Sequence, residues 1–483
     1  MNSATPRAHR VVVIGGGPGG YEAALAAAQL GADATLIERS GVGGSAVLTD
    51  VVPSKSLIAT AEAAQAIAEA ADLGVRFTVT GDSGRAVRPD VLVNLAAVNE
   101  RLLRLAKEQS HDMHETLKAA GVRIIAGEGR LDGPKRVIVS TGGAQPKDFD
   151  TLDAETVIVA VGAHPRELDS SKPDGERILT WKQLYNLDSV PEHLVVIGSG
   201  VTGAEFASAY ASLGAKVTLV SSRDRVLPGE DADAADLLEE VFRKRGTTVL
   251  SNNRAQSVVR DGDVVKVTLG DGSILEASHC LVAVGSIPNT ANLGLEAAGV
   301  ELTASGHIPV NRVACTSVPG IYAVGDCSNA MPLASVASHQ GRTAVFHALG
   351  DFAKPLDMRV VTSNIFTSPE IATVGTSELD VQNGEVAGVV YKLDLESNAR
   401  AKMQGVTDGF IKLIAQPESG IVIGGVIVGP KASELILLIS FAMEHRHTID
   451  QLARSWSVYP SLAGAIVDAA KGMHTALRAQ SAR

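Results

Sequence analysis

The sequence predicts an α/β protein with two doubly wound parallel sheets and a C-terminal α+β domain. Three observations carry this prediction. A strand–glycine turn–helix–strand pattern occurs twice. A buried-strand run ending in glycine follows each copy, "AETVIVAVG" and then "ASHCLVAVG", as expected of parallel strands between helical layers. From about Arg359 the pattern changes to strands broken by turns and then an apolar helical stretch, "ASELILLISFAMEH", which indicates a separate domain.

The first copy is "RVVVIGGGPGGYEAALAAAQLGADATLIER" and the second is "HLVVIGSGVTGAEFASAYASLGAKVTLVSS". Each contains G-x-G-x-x-G: Gly15, Gly17 and Gly20, then Gly198, Gly200 and Gly203. Both motifs follow a β-branched apolar run and open a helix, the context of a dinucleotide fingerprint. The first glycine permits the tight turn, the second admits a pyrophosphate, and the third lets helix and strand pack closely. The helix N-terminus favours the anionic ligand. The copies differ at the next strand end. Glu38 supplies a carboxylate for ribose hydroxyls in the first. Ser221, Ser222 and Arg223 stand there in the second. A hydroxyl at that place avoids repulsion of a 2′-phosphate, and Arg223 or Arg225 is suited to pair with one. The alternative is that both arginines are merely solvated, so the choice between NADH and NADPH stays open.

The chain has 483 residues and a net charge of −11. The length suits two or three domains, and the charge argues against a nucleic-acid partner. No apolar run approaches the roughly 18 residues of a membrane span. The N-terminal residues lead directly into strand and glycine turn, without a signal-peptide pattern. Cys280, Cys315 and Cys327 are the only cysteines, with no C-x-x-C and no metal-ligand spacing. These features predict a cytoplasmic protein without a metal site.

Several further stretches resemble the flavoprotein disulfide reductase family, the group of lipoamide dehydrogenase and glutathione reductase. "GGGPGGYEAA" with Glu38 resembles its FAD fingerprint, and "GIYAVGDC" its second FAD motif, in which Asp326 after Gly325 would bind the ribityl and pyrophosphate part of the flavin. The runs ending at Gly162 and Gly285 resemble the crossovers out of and back into the FAD domain. "TSPEIATVG", "NARAKM" and "GPKASELI" resemble the C-terminal interface domain, which implies a homodimer. The resemblance implies two Rossmann-like doubly wound nucleotide-binding domains plus a C-terminal α+β dimerisation domain. The expected boundaries are 1–162 with 286–355 for FAD, 163–285 for NAD(P), and 356–483 for dimerisation. Lys55 and Glu205 match the family's Lys–Glu pair beside the isoalloxazine, where the lysine supports reduced flavin. Gly44 and Ser45 are implied to line the FAD.

Two departures from the family pattern bear on function. The segment "GGSAVLTDVVPSK" has Ala46 and Val51 at the two thiol places. Neither side chain is a nucleophile or forms a disulfide. Near the C-terminus the family's His-x-x-x-x-Glu pair is matched, on Pro460, by Tyr459 and Gly464. A phenol with a pKa of about 10 is a poor base at neutral pH. Tyr459, supplied across a dimer, would stack on or donate to an acceptor, or else serve only in packing.

The flavin half of the family's machinery is kept while its thiol relay is gone. An apolar wall of Ala46, Val47 and Val51 suits a flat, partly apolar acceptor. The combination resembles the cysteine-less NAD(P)H:quinone reductases of this family known from actinobacteria. The leading expectation is therefore an FAD enzyme passing hydride from NAD(P)H to FAD and on to a quinone. The alternatives are a soluble pyridine nucleotide transhydrogenase and a non-catalytic flavoprotein subunit or redox sensor.

Overall fold

The computed structural model describes residues 8–78, 86–87, 91–141 and 149–481. The chain divides into two compact units. One comprises residues up to Ser56, Asn99–Arg166 and Ser286–Asp357; the other comprises Leu57–Val98, Glu167–Gly285 and the chain from Met358 onward.

The first unit is built on a five-stranded parallel sheet. In spatial order its strands are Ile321–Ala323, Thr156–Val159, Arg10–Ile14, Asp33–Glu38 and Arg123–Ala126. Arg10 pairs with Asp33 and Val13 with Leu36. The strand Thr156–Val159 is buried at every residue, which explains its unbroken apolar run. On one face the helices Pro18–Gln29 and Ala334–Ala348 cross at two glycines. A Cβ on Gly341 would stand 2.0 Å from the Gly19 carbonyl oxygen, so no larger residue fits that crossing. Ala23, Ala24, Ala26 and Ala27 are all buried in the same layer.

Among the described residues the second unit carries two five-stranded sheets, beside two smaller ones. Its five-stranded parallel sheet runs Ile178–Leu179, His279–Val282, His193–Ile197, Lys216–Val220 and Thr248–Leu250. The helix Val201–Ser212 follows the second glycine motif, and Ala232–Lys244 follows the next strand, capped by the Asp231 carboxylate. The other sheet is antiparallel, in the order Thr362–Ile365, Glu370–Gly375, Val422–Gly429, Phe410–Ala415 and Val389–Asp394. Helices Ala432–Glu444 and Leu462–Ser481 pack against it through Ile436, Ile439, Ile466 and Ala469.

A lysine is buried in this unit. The Lys412 side chain is 1% exposed and its ammonium donates to Asp231 at 2.7 Å, contacts Asp233 at 3.0 Å, and donates to Glu378. Burial pulls its pKa down, but the hydrogen bonds to Asp231, Glu378 and Asp233 outweigh that, and the net direction is up. The three carboxylates hold the cation charged. Among the described residues no helix is long and apolar enough to cross a membrane.

Candidate active site

In the first fingerprint, strand Arg10–Ile14 turns at Gly15 and helix Pro18–Gln29 begins after Gly17. A Cβ on Gly20 would lie 1.9 Å from the Gly15 carbonyl oxygen, and one on Gly15 would lie 2.3 Å from that of Ala160. Only glycine allows both approaches. At Gly17 an added Cβ meets nothing within 4 Å. The loop is thus locked on its strand side and open where a pyrophosphate would sit. Glu38 ends the adjoining strand, and its two oxygens accept from the N–H groups of Gly16 and Ser40, both at 2.6 Å. These bonds fix the carboxylate beside the loop.

The second FAD motif forms a 3₁₀ turn over Gly325–Cys327 at the end of strand Ile321–Ala323. Burial pushes the Asp326 carboxyl above its usual range, opposed by nearby His307. The turn is held by a residue that sequence reasoning missed. Gln340, 2% exposed, accepts the Gly325 N–H at 2.8 Å and donates to Ser328 Oγ at 3.3 Å. Its only sequence signal is a glutamine beside glycine on an alanine-rich helix face. Asp326, His307, Ser286, Ser305 and Ser328 border a cavity of about 320 Å³.

The segment "GGSAVLTDVVPSK" folds as two helices, Gly44–Leu48 and one beginning at Val51. Its glycines lie on the fingerprint loop. The Gly43 N–H donates to the Gly16 carbonyl at 2.7 Å, and a Cβ on Gly44 would stand 2.9 Å from Gly17 Cα. Ser45 is exposed, Ala46 and Val51 are half-buried, and Val47 is buried. Lys55 is half-buried, just beyond the first turn of the second helix. All three cysteines are free thiols. Burial raises Cys280 strongly, raises Cys315, and raises Cys327 to about 11. None is a thiolate at neutral pH.

The second fingerprint repeats the first. A Cβ on Gly203 would lie 1.8 Å from the Gly198 oxygen, one on Gly198 would lie 2.2 Å from the Ala283 oxygen, and Gly200 is open. Glu205, 4% exposed on the helix so begun, accepts the Phe366 N–H at 2.9 Å. Ser221 is fully buried, and its hydroxyl is engaged by Ser199 Oγ of the glycine loop at 2.8 Å and by the Arg223 N–H at 3.1 Å. It shapes the strand end rather than facing solvent. Arg225 pairs with Asp236 at 3.2 Å, whereas Arg223 is exposed. Gly162 and Gly285, with φ of +63° and +97°, close the two connecting runs.

Toward the C-terminus, Tyr459 is 86% exposed, beside exposed Trp456 and Val458. Gly464 offers no side chain, and its N–H donates to Ser461 Oγ at 2.9 Å. The helix Ala432–Glu444 buries Ile436 and Ile439 yet exposes Leu437 and Phe441, so apolar side chains line both sides of it. Among the described residues no group of three or more His, Cys, Asp and Glu converges to hold a metal ion.

Residues 9–341 match the family model described as pyridine nucleotide-disulphide oxidoreductase, and residues 361–470 match its dimerisation domain. The chain belongs to this family. It is 47% identical over 474 residues to an NAD(P)H dehydrogenase (quinone) of Mycobacterium tuberculosis, covering 96% of this chain and 93% of that protein. It is 33% identical to a dihydrolipoyl dehydrogenase of Haloferax volcanii, covering 95% of each. The crystal structure of LpdA from Mycobacterium tuberculosis matches with a TM-score of 0.89 and 46% identity, over 96% of this chain and 99% of that one. Members of this oxidoreductase family use FAD and NAD(P)H. The open glycine at Gly17, the fixed Glu38 carboxylate and the half-buried Asp326 fit FAD in the first unit. Gly200 leaves the corresponding room in the second.

Proposed function

We propose that this protein is a homodimeric NAD(P)H:quinone oxidoreductase that does not reduce disulfides. One observation carries the reading: both nucleotide loops are complete, while the two thiol places hold Ala46 and Val51. The three thiols elsewhere are protonated at neutral pH, so none replaces the relay. The relative named NAD(P)H dehydrogenase (quinone), at 47% identity, supports a quinone as acceptor.

Bound FAD would supply two-electron chemistry, accepting hydride from NAD(P)H and returning electrons to the acceptor. The chain's part is binding and orientation. The Gly15–Gly20 loop, Glu38 and Asp326 would hold the cofactor, with Gly44 and Ser45 beside the loop. The Gly198–Gly203 loop would hold the reduced nucleotide, with Arg223 favouring a 2′-phosphate. Lys55 and Glu205 would act at the isoalloxazine, as in the family they match. Ala46, Val47 and Val51 would present an apolar wall to the acceptor. Tyr459 from a partner subunit would stack on the quinone or donate to its oxygen. The exposed Leu437, Phe441, Trp456 and Val458 supply apolar surface for that dimer contact, and we place the protein in the cytoplasm.

The test is a steady-state acceptor panel on FAD-replete protein with both nucleotides. Turnover with menadione-like quinones, and none with lipoamide or glutathione disulfide, is expected. An enzyme that is reduced by NADPH but not reoxidised by any quinone would sink the reading. Faster reduction of a thio-analogue of NAD⁺ than of quinone would instead indicate a transhydrogenase.

A further inference from the structure

Among the described residues, Asp326 and His307 are the only titratable groups that line the cavity of about 320 Å³ beside the second FAD motif. The rest of its polar lining is hydroxyls and the Asn329 side chain, and none of it comes from the Gly15–Gly20 loop. Neither oxygen of the Asp326 carboxylate accepts a hydrogen bond from the described residues. A half-buried carboxylate that borders an open cavity can take its partners from a ligand.

The backbone brings His307 to that carboxylate. Ile308 forms an isolated parallel bridge with Ser328. Its N–H donates to the Cys327 carbonyl at 2.9 Å, and the Asn329 N–H donates to the Ile308 carbonyl at 3.2 Å. His307 thereby lies alongside the Gly325–Cys327 turn that carries Asp326. Its own loop sets the ring. Nδ1 bonds to Ser305 Oγ at 2.9 Å, Ser305 Oγ to Thr303 Oγ1 at 3.0 Å, and the His307 N–H donates to Thr303 Oγ1 at 3.0 Å. Nε2 makes no hydrogen bond among the described residues. Burial raises the Asp326 carboxyl, and the charge of His307 opposes that rise. The neighbouring titratable groups are exposed or engaged elsewhere. Glu301 on the same loop is exposed, and the Arg166 guanidinium donates to the Ser286 carbonyl at 3.5 Å. The buried Cys327 thiol donates to the Val159 and Val324 carbonyls.

We propose that His307 keeps Asp326 ionised as the pH falls, and so sets how far into acid the protein retains FAD. Histidine changes charge between about pH 5 and 8, so it turns cationic as acidification begins to threaten a half-buried carboxylate. An ionised carboxylate accepts strong, charge-assisted hydrogen bonds from ribityl hydroxyls, and protonation forfeits that strength. Removing the imidazolium therefore moves the loss of cofactor to higher pH. His307 acts through Asp326, as a positioning residue. The inference rests on the reading of Asp326 as an FAD ligand under the proposed function, and not on the identity of hydride donor or acceptor.

The experiment is an acid titration of FAD-replete protein, with release followed by the fluorescence of free flavin and folding by circular dichroism. Wild type, His307→Gln, His307→Lys, Asp326→Asn and the combination of His307→Gln with Asp326→Asn are compared from mildly alkaline pH down to the onset of unfolding. His307→Gln is expected to match wild type in FAD affinity at mildly alkaline pH, where imidazole is neutral. On acidification it is expected to release FAD at a midpoint about half to one pH unit higher. His307→Lys, which keeps a cation, is expected to release FAD no earlier than wild type. Asp326→Asn should bind FAD more weakly at every pH, and adding His307→Gln to it should change nothing further. Equal midpoints for wild type and both His307 variants would overturn the proposal. So would a loss of affinity in His307→Gln that is the same at all pH or persists in the combined variant, since either would assign the ring to packing. Unaltered FAD affinity in Asp326→Asn would instead sink the reading of Asp326 itself, and the proposal with it.

Discussion

The two glycine loops are one device built twice, set in different electrostatic surroundings. In both, the third glycine packs under 2 Å from the first one's carbonyl oxygen when a Cβ is added, and the middle glycine stays open. The next strand then ends in a fixed carboxylate at Glu38 in the first unit, and in an internally bonded hydroxyl at Ser221 in the second. The charged residues that are buried among the described residues, Glu205, Glu370 and Lys412, all belong to the second unit. Loop geometry sets what class of ligand is held. Under the proposed function, the surrounding charges set which member of that class is preferred.

The largest way to separate the two units is through Lys412. Lys412→Met leaves the carboxylates of Asp231, Asp233 and Glu378 without their cation, and is expected to cost about 3–5 kcal/mol. A thermal or urea melt measures it. A loss under 1 kcal/mol would mean that the cluster contributes no net stability. Next in size are the paired variants Gly20→Ala and Gly203→Ala. Each drives a methyl into a carbonyl, an overpacking cost of about 1–3 kcal/mol, or up to roughly 100-fold in affinity. Gly20→Ala should purify depleted of FAD. Gly203→Ala should keep its flavin but need far more NADPH to bleach it. The same defect in both variants would break the comparison.

A smaller effect is expected of Arg223→Ala. Removing the exposed cation proposed to pair with a 2′-phosphate should raise KM for NADPH about 3- to 10-fold and leave KM for NADH unchanged. Equal changes for the two nucleotides would show that Arg223 is merely solvated. The smallest concerns Asp326 in protein stripped of FAD. Its pKa is raised from 3.8 by burial, so the folded state binds that proton more tightly than the unfolded chain does. Its unfavourable contribution is absent below pH 3.8, grows through the raised pKa and is full at neutral pH. Asp326→Asn should therefore raise the neutral-pH melting temperature of the stripped protein by about 1 °C, an advantage lost on acidification. Measured with FAD present, the same variant should bind cofactor more weakly.

Most of the fold is legible in the sequence because its signals are local. The glycine turns, the β-branched strand runs and the change of pattern near Arg359 each lie within a few dozen residues. The site is legible where backbone geometry dictates the residue, as at Gly15 and Gly203, or where the next strand must end, as at Glu38. What escapes is long-range pairing. Lys412 reads as one more lysine until the fold brings Asp231 and Glu378 to it. Gln340 reads as a surface glutamine until it closes on Gly325. Ser221 reads as a hydroxyl that avoids repelling a 2′-phosphate, and its bond to Ser199 emerges only in the fold.

The Lys412 cluster has a consequence for how the second unit opens. It links the start of helix Ala232–Lys244, which follows a strand of the parallel sheet, to strand Phe410–Ala415 of the antiparallel one. Prising the two sheets apart would expose a buried cation and its carboxylates at once. Amide hydrogens of the helix and of that strand should then exchange with solvent through one shared excursion, making a single foldon from segments almost two hundred residues apart in the chain.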